Sequence, residues 1–304
     1  MEAEELSLGR QSRAAALGAG PAGKRGERMA GYGAGLLLLP GFAFILLFFL
    51  VPVGLILAQS LFDPAFSLRF YERIFTGPDY LTVLWISLKI AILTTAISLA
   101  ASYPVAYMLV VARPAIRSLM LAFILLPFWT NVLIRCYAWM LVLQTKGLVN
   151  TLLVGWLHAL AAPAPLVFNL TGVIIGMVHY VVPINILVLF SVMKAVDLRL
   201  VQAAKGLGAN PLRAFLAVFV PLTLPGVRAA SMLVLVISLG FFVTPALLGG
   251  REETTIAILV NTYFTEVLDW GFGSALAGLL LVFTLAGLSL YFAAQREGAE
   301  LAAR

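Results

Sequence analysis

Residues Asp197–Gly226, DLRLVQAAKGLGANPLRAFLAVFVPLTLPG, form the one long stretch of this chain that is both amphipathic and basic, and apolar runs flank it on both sides. Asp197 suits the N-cap of a short helix, where its carboxylate accepts orphan backbone N–H groups at the positive helix end. Arg199, Gln202 and Lys205 recur every three residues as a polar stripe, and Leu198, Val201, Ala203, Ala204 and Leu207 fill the remainder. Gly208 is a natural left-handed C-cap. Asn210 and Pro211 then restart a helix with a capping side chain and a proline at the first helical position. Leu212, Phe215, Leu216 and Phe219 give that second helix an apolar face. Pro221 and Pro225 read as breaks ahead of the next apolar run. The stretch predicts helix, glycine elbow, helix and proline exit, lying at a membrane surface.

The rest of the composition agrees. A chain of 304 residues that is 62% hydrophobic and only 11% charged, with a mean hydropathy of +1.02, has too little polar surface for a soluble protein. The apolar runs predict six spans, at about 33–60, 82–111, 118–143, 170–193, 227–248 and 274–294. The first is too long for the apolar core of a signal peptide and reads as an uncleaved span. Residues 1–30 form a polar, Ala/Gly-rich tail with disordered character. In that tail, Gly18–Lys24 imitates the start of a phosphate-binding loop, but Arg25 stands where a magnesium-binding Ser or Thr belongs and no apolar strand precedes it. The connection 144–168 has an apolar tilt at Trp156, Leu157 and Leu160. Residues 296–304 make a short tail.

Charge sets an expected orientation. With both termini in the cytoplasm, the inner segments hold fourteen basic residues, namely Arg10, Arg13, Lys24, Arg25, Arg28, Arg113, Arg117, Lys194, Arg199, Lys205, Arg213, Arg228, Arg296 and Arg304. Only Arg69, Arg73, Lys146 and Arg251 fall in outer segments, with Lys89 and Arg135 near outer span ends, where snorkelling is the expected solution. This asymmetry accounts for the net charge of +6 without nucleic acid. One cysteine, Cys136, and two histidines, His158 and His179, exclude a disulfide within the chain and argue against a metal cluster.

The organising stretch resembles the EAA loop of ABC-importer permeases. Gln202-Ala203-Ala204 stands where that family has Glu-Ala-Ala, Gly208 at its glycine, and Pro221–Gly226 at its closing proline-rich segment. Pro127-Phe-Trp-Thr-Asn-Val-Leu-Ile-Arg135-Cys-Tyr-Ala-Trp139, Gly240–Gly250 and Asp269-Trp-Gly-Phe-Gly273 are similar to segments of spermidine/putrescine-type permeases, so the resemblance covers about residues 35–295. It implies an all-α integral membrane fold of six transmembrane helices, with a cytoplasmic coupling loop between helices 4 and 5. It further implies a multi-pass subunit of the bacterial inner membrane that makes and breaks no bond and binds no cofactor. The implied partners are a cytoplasmic ABC ATPase dimer, a second related permease and an external solute-binding protein, with lipid around the spans. On this resemblance Arg199, Gln202, Ala203, Ala204, Lys205, Gly208, Asn210 and Pro211 couple to the ATPase. Gln202 in place of Glu weakens any salt bridge there but keeps a hydrogen-bonding side chain.

Substrate-path candidates are the intramembrane polar and aromatic groups Ser98, Trp129, Asn131, Tyr137, Trp139, His179, Tyr180 and Asn185. Each has a plainer reading. Ser87, Thr94, Thr95, Ser98 and Ser102 share one face of the second span, either lining a path or bonding their own backbone and neighbouring helices. Gly172 and Gly176 permit close packing, Pro183 marks a kink, and His179 is either a path residue or bonded to a backbone carbonyl. Tyr137 and Trp139 also suit an interfacial aromatic belt, while any of the rings could hold an organic cation. No Asp or Glu falls in any predicted span, although an ion-driven transporter commonly needs one there. Glu252, Glu253, Glu266 and Asp269 in the outer segments are candidates for docking. The alternatives are a permease for another small solute, such as an opine, an amino-acid derivative or a ferric complex, or a gradient-driven secondary transporter.

Overall fold

A computed structural model describes residues 40–62 and 65–302. The tail 1–30, with its loop-like Gly18–Lys24, and the predicted span residues 33–39 lie outside them. Among the described residues the structure is helical, and six helical segments are long and apolar enough to cross a membrane. The chain divides into two units, residues 1–58 and 59–304. The first unit holds α1 (Pro40–Gln59) as far as Ala58, a helix apolar on every side up to that point.

The second unit carries the remaining helices. α2 (Arg69–Thr76) is short and amphipathic, with Phe70 and Ile74 buried. α3 (Pro78–Val111) opens on a proline at its first turn and holds Pro104 in its interior. α4 (Pro114–Leu125) passes into a 3-10 turn, Leu126–Trp129, before α5 (Val132–Leu143) and α6 (148–156). α7 (Leu170–Met193), α8 (Leu198–Gly206) and α9 (Pro211–Gly240) carry the organising stretch. α10 (Val243–Leu248), α11 (Ile256–Val267) and α12 (Trp270–Ala302) complete the chain.

Two predicted spans need correction. The third, expected as one run over 118–143, is broken: Thr130 and Asn131 are extended, and the Asn131 side chain accepts the Leu133 N–H at 2.8 Å, so it caps a new helix. The segment long and apolar enough to cross runs instead over Val132–Trp156, from that cap through a turn at 144–147, whereas Pro114–Trp129 is a shorter apolar helix. The fifth, expected over 227–248, runs from Pro211 to Gly240. Pro221 and Pro225 do not break it. A wide π turn, Phe215–Phe219, precedes Pro221 and relaxes the ladder where the proline lacks a donor. The helix ends where Phe241 turns extended.

α3, α7 and α9 pack together as the centre of the second unit. One buried cluster joins Ala106 of α3, Leu189 and Met193 of α7, Val201 of α8, and Ala214, Phe219 and Ala230 of α9. A second joins Phe70 and Ile74 of α2 to Ile256 of α11 and Phe272, Ala275 and Leu276 of α12. Small residues permit the approach. A Cβ on Gly176 would sit 2.7 Å from Thr244 Cγ2 of α10, and one on Gly226 would sit 2.7 Å from Val192 of α7.

Candidate functional site: the elbow between α7 and α9

The elbow is built from local rules. Asp197 Oδ1 accepts the Arg199 N–H at 2.9 Å and starts α8. After α8, Gly208 takes φ +90, a conformation that favours glycine, and the Ala209 N–H closes back on the Ala204 carbonyl at 3.1 Å. Asn210 Oδ1 accepts the Arg213 N–H at 2.7 Å, with Pro211 at the first helical position. Val201 turns one side of α8 into the core, and Ala204 packs beside it. Arg199, Gln202, Ala203, Lys205, Asn210 and Pro211 stand exposed, and Leu207 is 90% exposed beside Gly208.

The expected apolar face of the second helix is split. Phe219 is buried and Phe215 half-buried, while Leu212 and Leu216 are exposed and line an open groove with Asn210 and Arg213. The π turn changes the residues-per-turn count and so rotates the face.

Aromatic contacts lock the elbow to α3. Tyr107 meets Phe215 and Phe219 edge-on, each with ring centroids 5.0 Å apart, and those two rings stack at 5.4 Å. The Tyr103 hydroxyl lies 2.7 Å from Thr223 Oγ1. Because Thr223 gives its own proton to the Val220 carbonyl at 2.9 Å, Tyr103 is the donor. Arg117 is a member of this end that the sequence did not single out. Its guanidinium donates to the carbonyls of Leu109 (2.8 Å), Val110 (3.1 Å) and Ala112 (3.1 Å), the orphan acceptors at the end of α3, and lies 5.9 Å from the Phe190 ring of α7. The only signal available was a cation just past a helix end.

The substrate-path candidates fall in several places. Asn185, fully buried on α7, donates to Ser98 Oγ of α3 at 2.8 Å, while its Oδ1 and the Thr94 hydroxyl have no partner among the described residues. Ser87, Thr95 and Ser98 donate to carbonyls of α3 itself, while Ser102 donates across to the Val182 carbonyl of α7 and Ser87 also accepts the Ile256 N–H of α11 at 2.9 Å. His179 accepts the Trp139 indole N–H at Nδ1, 3.1 Å away, instead of meeting a backbone carbonyl. Both line an apolar groove of about 640 Å³ with Ile97 and Ile174. Trp129 is 90% exposed, Tyr137 is exposed, and Asn131 serves as the α5 cap.

Arg135 donates to the carbonyls of Pro127 and Thr130 (the latter at 3.1 Å) and lies 5.5 Å from the Tyr180 ring. It thereby satisfies the break between α4 and α5. Lys89 is exposed and faces a cavity of about 560 Å³ lined by Asp79, Glu252, Glu253 and Arg251. Of the four expected docking carboxylates, Asp269 pairs with Arg73 at 3.4 Å and caps Phe272, and Glu253 caps Gly250. Beside that pair, Tyr80 and Tyr263 share a 3.0 Å hydroxyl contact. Burial first, then the bond to Tyr80, pushes the Tyr263 hydroxyl up to about 12, so it stays protonated at physiological pH.

The chain is 36% identical over 263 residues to the spermidine/putrescine transport system permease protein PotB of Haemophilus influenzae, a match covering 84% of this chain and 91% of that one. The chain belongs to the ABC-importer permease family. PotB of Escherichia coli K12 is 35% identical over 231 residues, 76% of this chain and 83% of the relative. No family profile matches. In fold, the permease resembles a chain of a bacterial alginate ABC transporter solved with an alginate pentasaccharide-bound periplasmic protein. The TM-score is 0.72 and the identity 16%, over 87% of this chain and 94% of that one. With six apolar helices, the permease is a multi-pass protein of the inner membrane.

Proposed function

We propose that this permease is the non-catalytic transmembrane subunit of a polyamine importer, powered by ATP hydrolysis in a partner. The observation that carries the reading is the 36% identity to a spermidine/putrescine permease across 91% of that protein. The 560 Å³ cavity supports a cationic solute, since three carboxylates, Asp79, Glu252 and Glu253, face two cations there. The elbow supports coupling. Its exposed stripe of Arg199, Gln202 and Lys205, with Ala203 and Leu207, offers a partner surface, while Val201 and the Phe215–Phe219–Tyr107 cluster carry force into α3, α7 and α9. In this reading the elbow and both termini lie in the cytoplasm, which the placement of the basic residues supports. An ABC ATPase dimer docks at the elbow, a second permease completes the path and a periplasmic binding protein delivers the solute.

Purification of the tagged chain from its native membrane tests the assembly. Recovery of an ATPase and a second permease is expected, with ATP-dependent spermidine uptake by vesicles containing the complex. A chain that emerges alone from several mild detergents, or that transports on an ion gradient without an ATPase, would overturn the reading.

A further inference from the structure

Three helices meet behind the elbow, and each carries a proline close to a bond that ties it to a neighbour. The interior prolines are Pro104 of α3, Pro183 of α7 and Pro225 of α9. Ser102 Oγ donates to the Val182 carbonyl at 3.2 Å, two residues before Pro104 and one before Pro183. Tyr103, next to Pro104, donates to Thr223, two residues before Pro225. Ser102 and Thr223 are fully buried. An interior proline removes one rung of the helical ladder and makes a point of bending, so the soft points of three helices coincide with the bonds between them.

Packing differs on the two sides of these prolines. On the elbow side, Ala106, Leu189, Met193, Val201, Ala214 and Phe219 form one buried cluster with the Tyr107 and Phe215 rings packed against it, joined from beyond Pro225 by Ala230 alone among its buried members. Away from the elbow, α3 and α7 have a separate cluster of Ile90, Val173, Ile174 and Met177. Two packed bodies joined through prolines are the architecture of a hinge.

We propose that Pro104, Pro183 and Pro225 form one hinge layer, and that Tyr103 and Thr223 are positioning residues that make the elbow-side ends of α3 and α9 swing together. Tyr103 does this with two contacts. Its ring meets Phe215 of the elbow helix at 6.3 Å, and its hydroxyl holds Thr223 across the layer. The hinge rests on the importer reading, because it is the route by which a push on the elbow reaches the spans.

The test uses the assembled importer in proteoliposomes, with spermidine uptake and ATP hydrolysis measured in the same vesicles. Tyr103→Phe keeps the ring and removes the hydroxyl, and Thr223→Val removes the acceptor at nearly constant shape. Each is expected to lower uptake per ATP about fivefold, the factor carried by one hydrogen bond of average net strength. The double variant should fall no further than either single one. Thr223→Ser restores the ratio. Pro225→Ala, which returns the missing backbone donor, should stiffen α9 and lower the ratio as well. An unchanged ratio in both Tyr103→Phe and Thr223→Val would overturn the hinge, as would a loss that follows only the melting temperature of the complex. A wild-type complex that neither hydrolyses ATP nor takes up spermidine would instead sink the functional reading, before any variant is compared.

Discussion

Gly208 carries the sharpest requirement at the scale of single residues. Its φ of +90 is closed to proline and strained for any residue with a Cβ. Gly208→Pro is expected to abolish ATP-coupled uptake while the chain still inserts, measured as membrane-fraction yield against uptake; normal uptake would refute the elbow's role. Gln202 is exposed, so restoring the family's glutamate changes little. Gln202→Glu should alter ATPase retention in a pull-down by less than about fivefold, the range of a surface ion pair. Arg117 matters more than its exposure suggests, because three carbonyls depend on it. Arg117→Ala should destabilise the purified protein by about 2 kcal/mol through those unpaired acceptors, read as a lower midpoint of thermal unfolding.

Breaks and close contacts decide the behaviour of whole elements. The α4–α5 break is held by one guanidinium and capped by Asn131. Arg135→Met should lower thermal stability more than Arg135→Lys, since a lysine keeps a donor for the Thr130 carbonyl but not the fork that spans two acceptors. The close approach of α7 to α10 leaves no room at Gly176. Gly176→Leu should force the two helices apart and cost about 1–3 kcal/mol, seen as loss of folded protein in detergent, while a bulky residue at Gly206, where nothing lies within 4 Å, is expected to be tolerated.

Orientation is the prediction that belongs to the whole molecule. A single cysteine placed at Leu207, in a Cys136→Ser background, should react in intact cells only with membrane-permeant maleimides, whereas one at Trp156 should react with impermeant reagents. Both sites are well exposed, at 90% and 78%, so accessibility within the fold does not confuse the result. The reverse labelling pattern would place the elbow outside and end the coupling proposal.

Composition and apolar run length determined by themselves that this is an all-α membrane protein of six spans, because burying that much hydrocarbon leaves few alternatives to membrane helices. The elbow was equally legible. Asp197, Gly208, Asn210 and Pro211 act on backbone within a few residues of themselves, and capping and left-handed turns are local chemistry. Span boundaries were less so. Thr130-Asn131 bears a helix-start signature that the surrounding apolar run conceals, and Pro221 and Pro225 read as breakers because the relief provided by the π turn at Phe215–Phe219 leaves no mark in the residue pattern. Only the tertiary structure could decide partners across long sequence separations. That Arg135 holds a break, that Trp139 meets His179, that Asn185 meets Ser98 and that Tyr103 bridges to Thr223 all depend on how the helices of the second unit are placed. Packing sets that placement, and it depends on side-chain volumes summed over several helices at once.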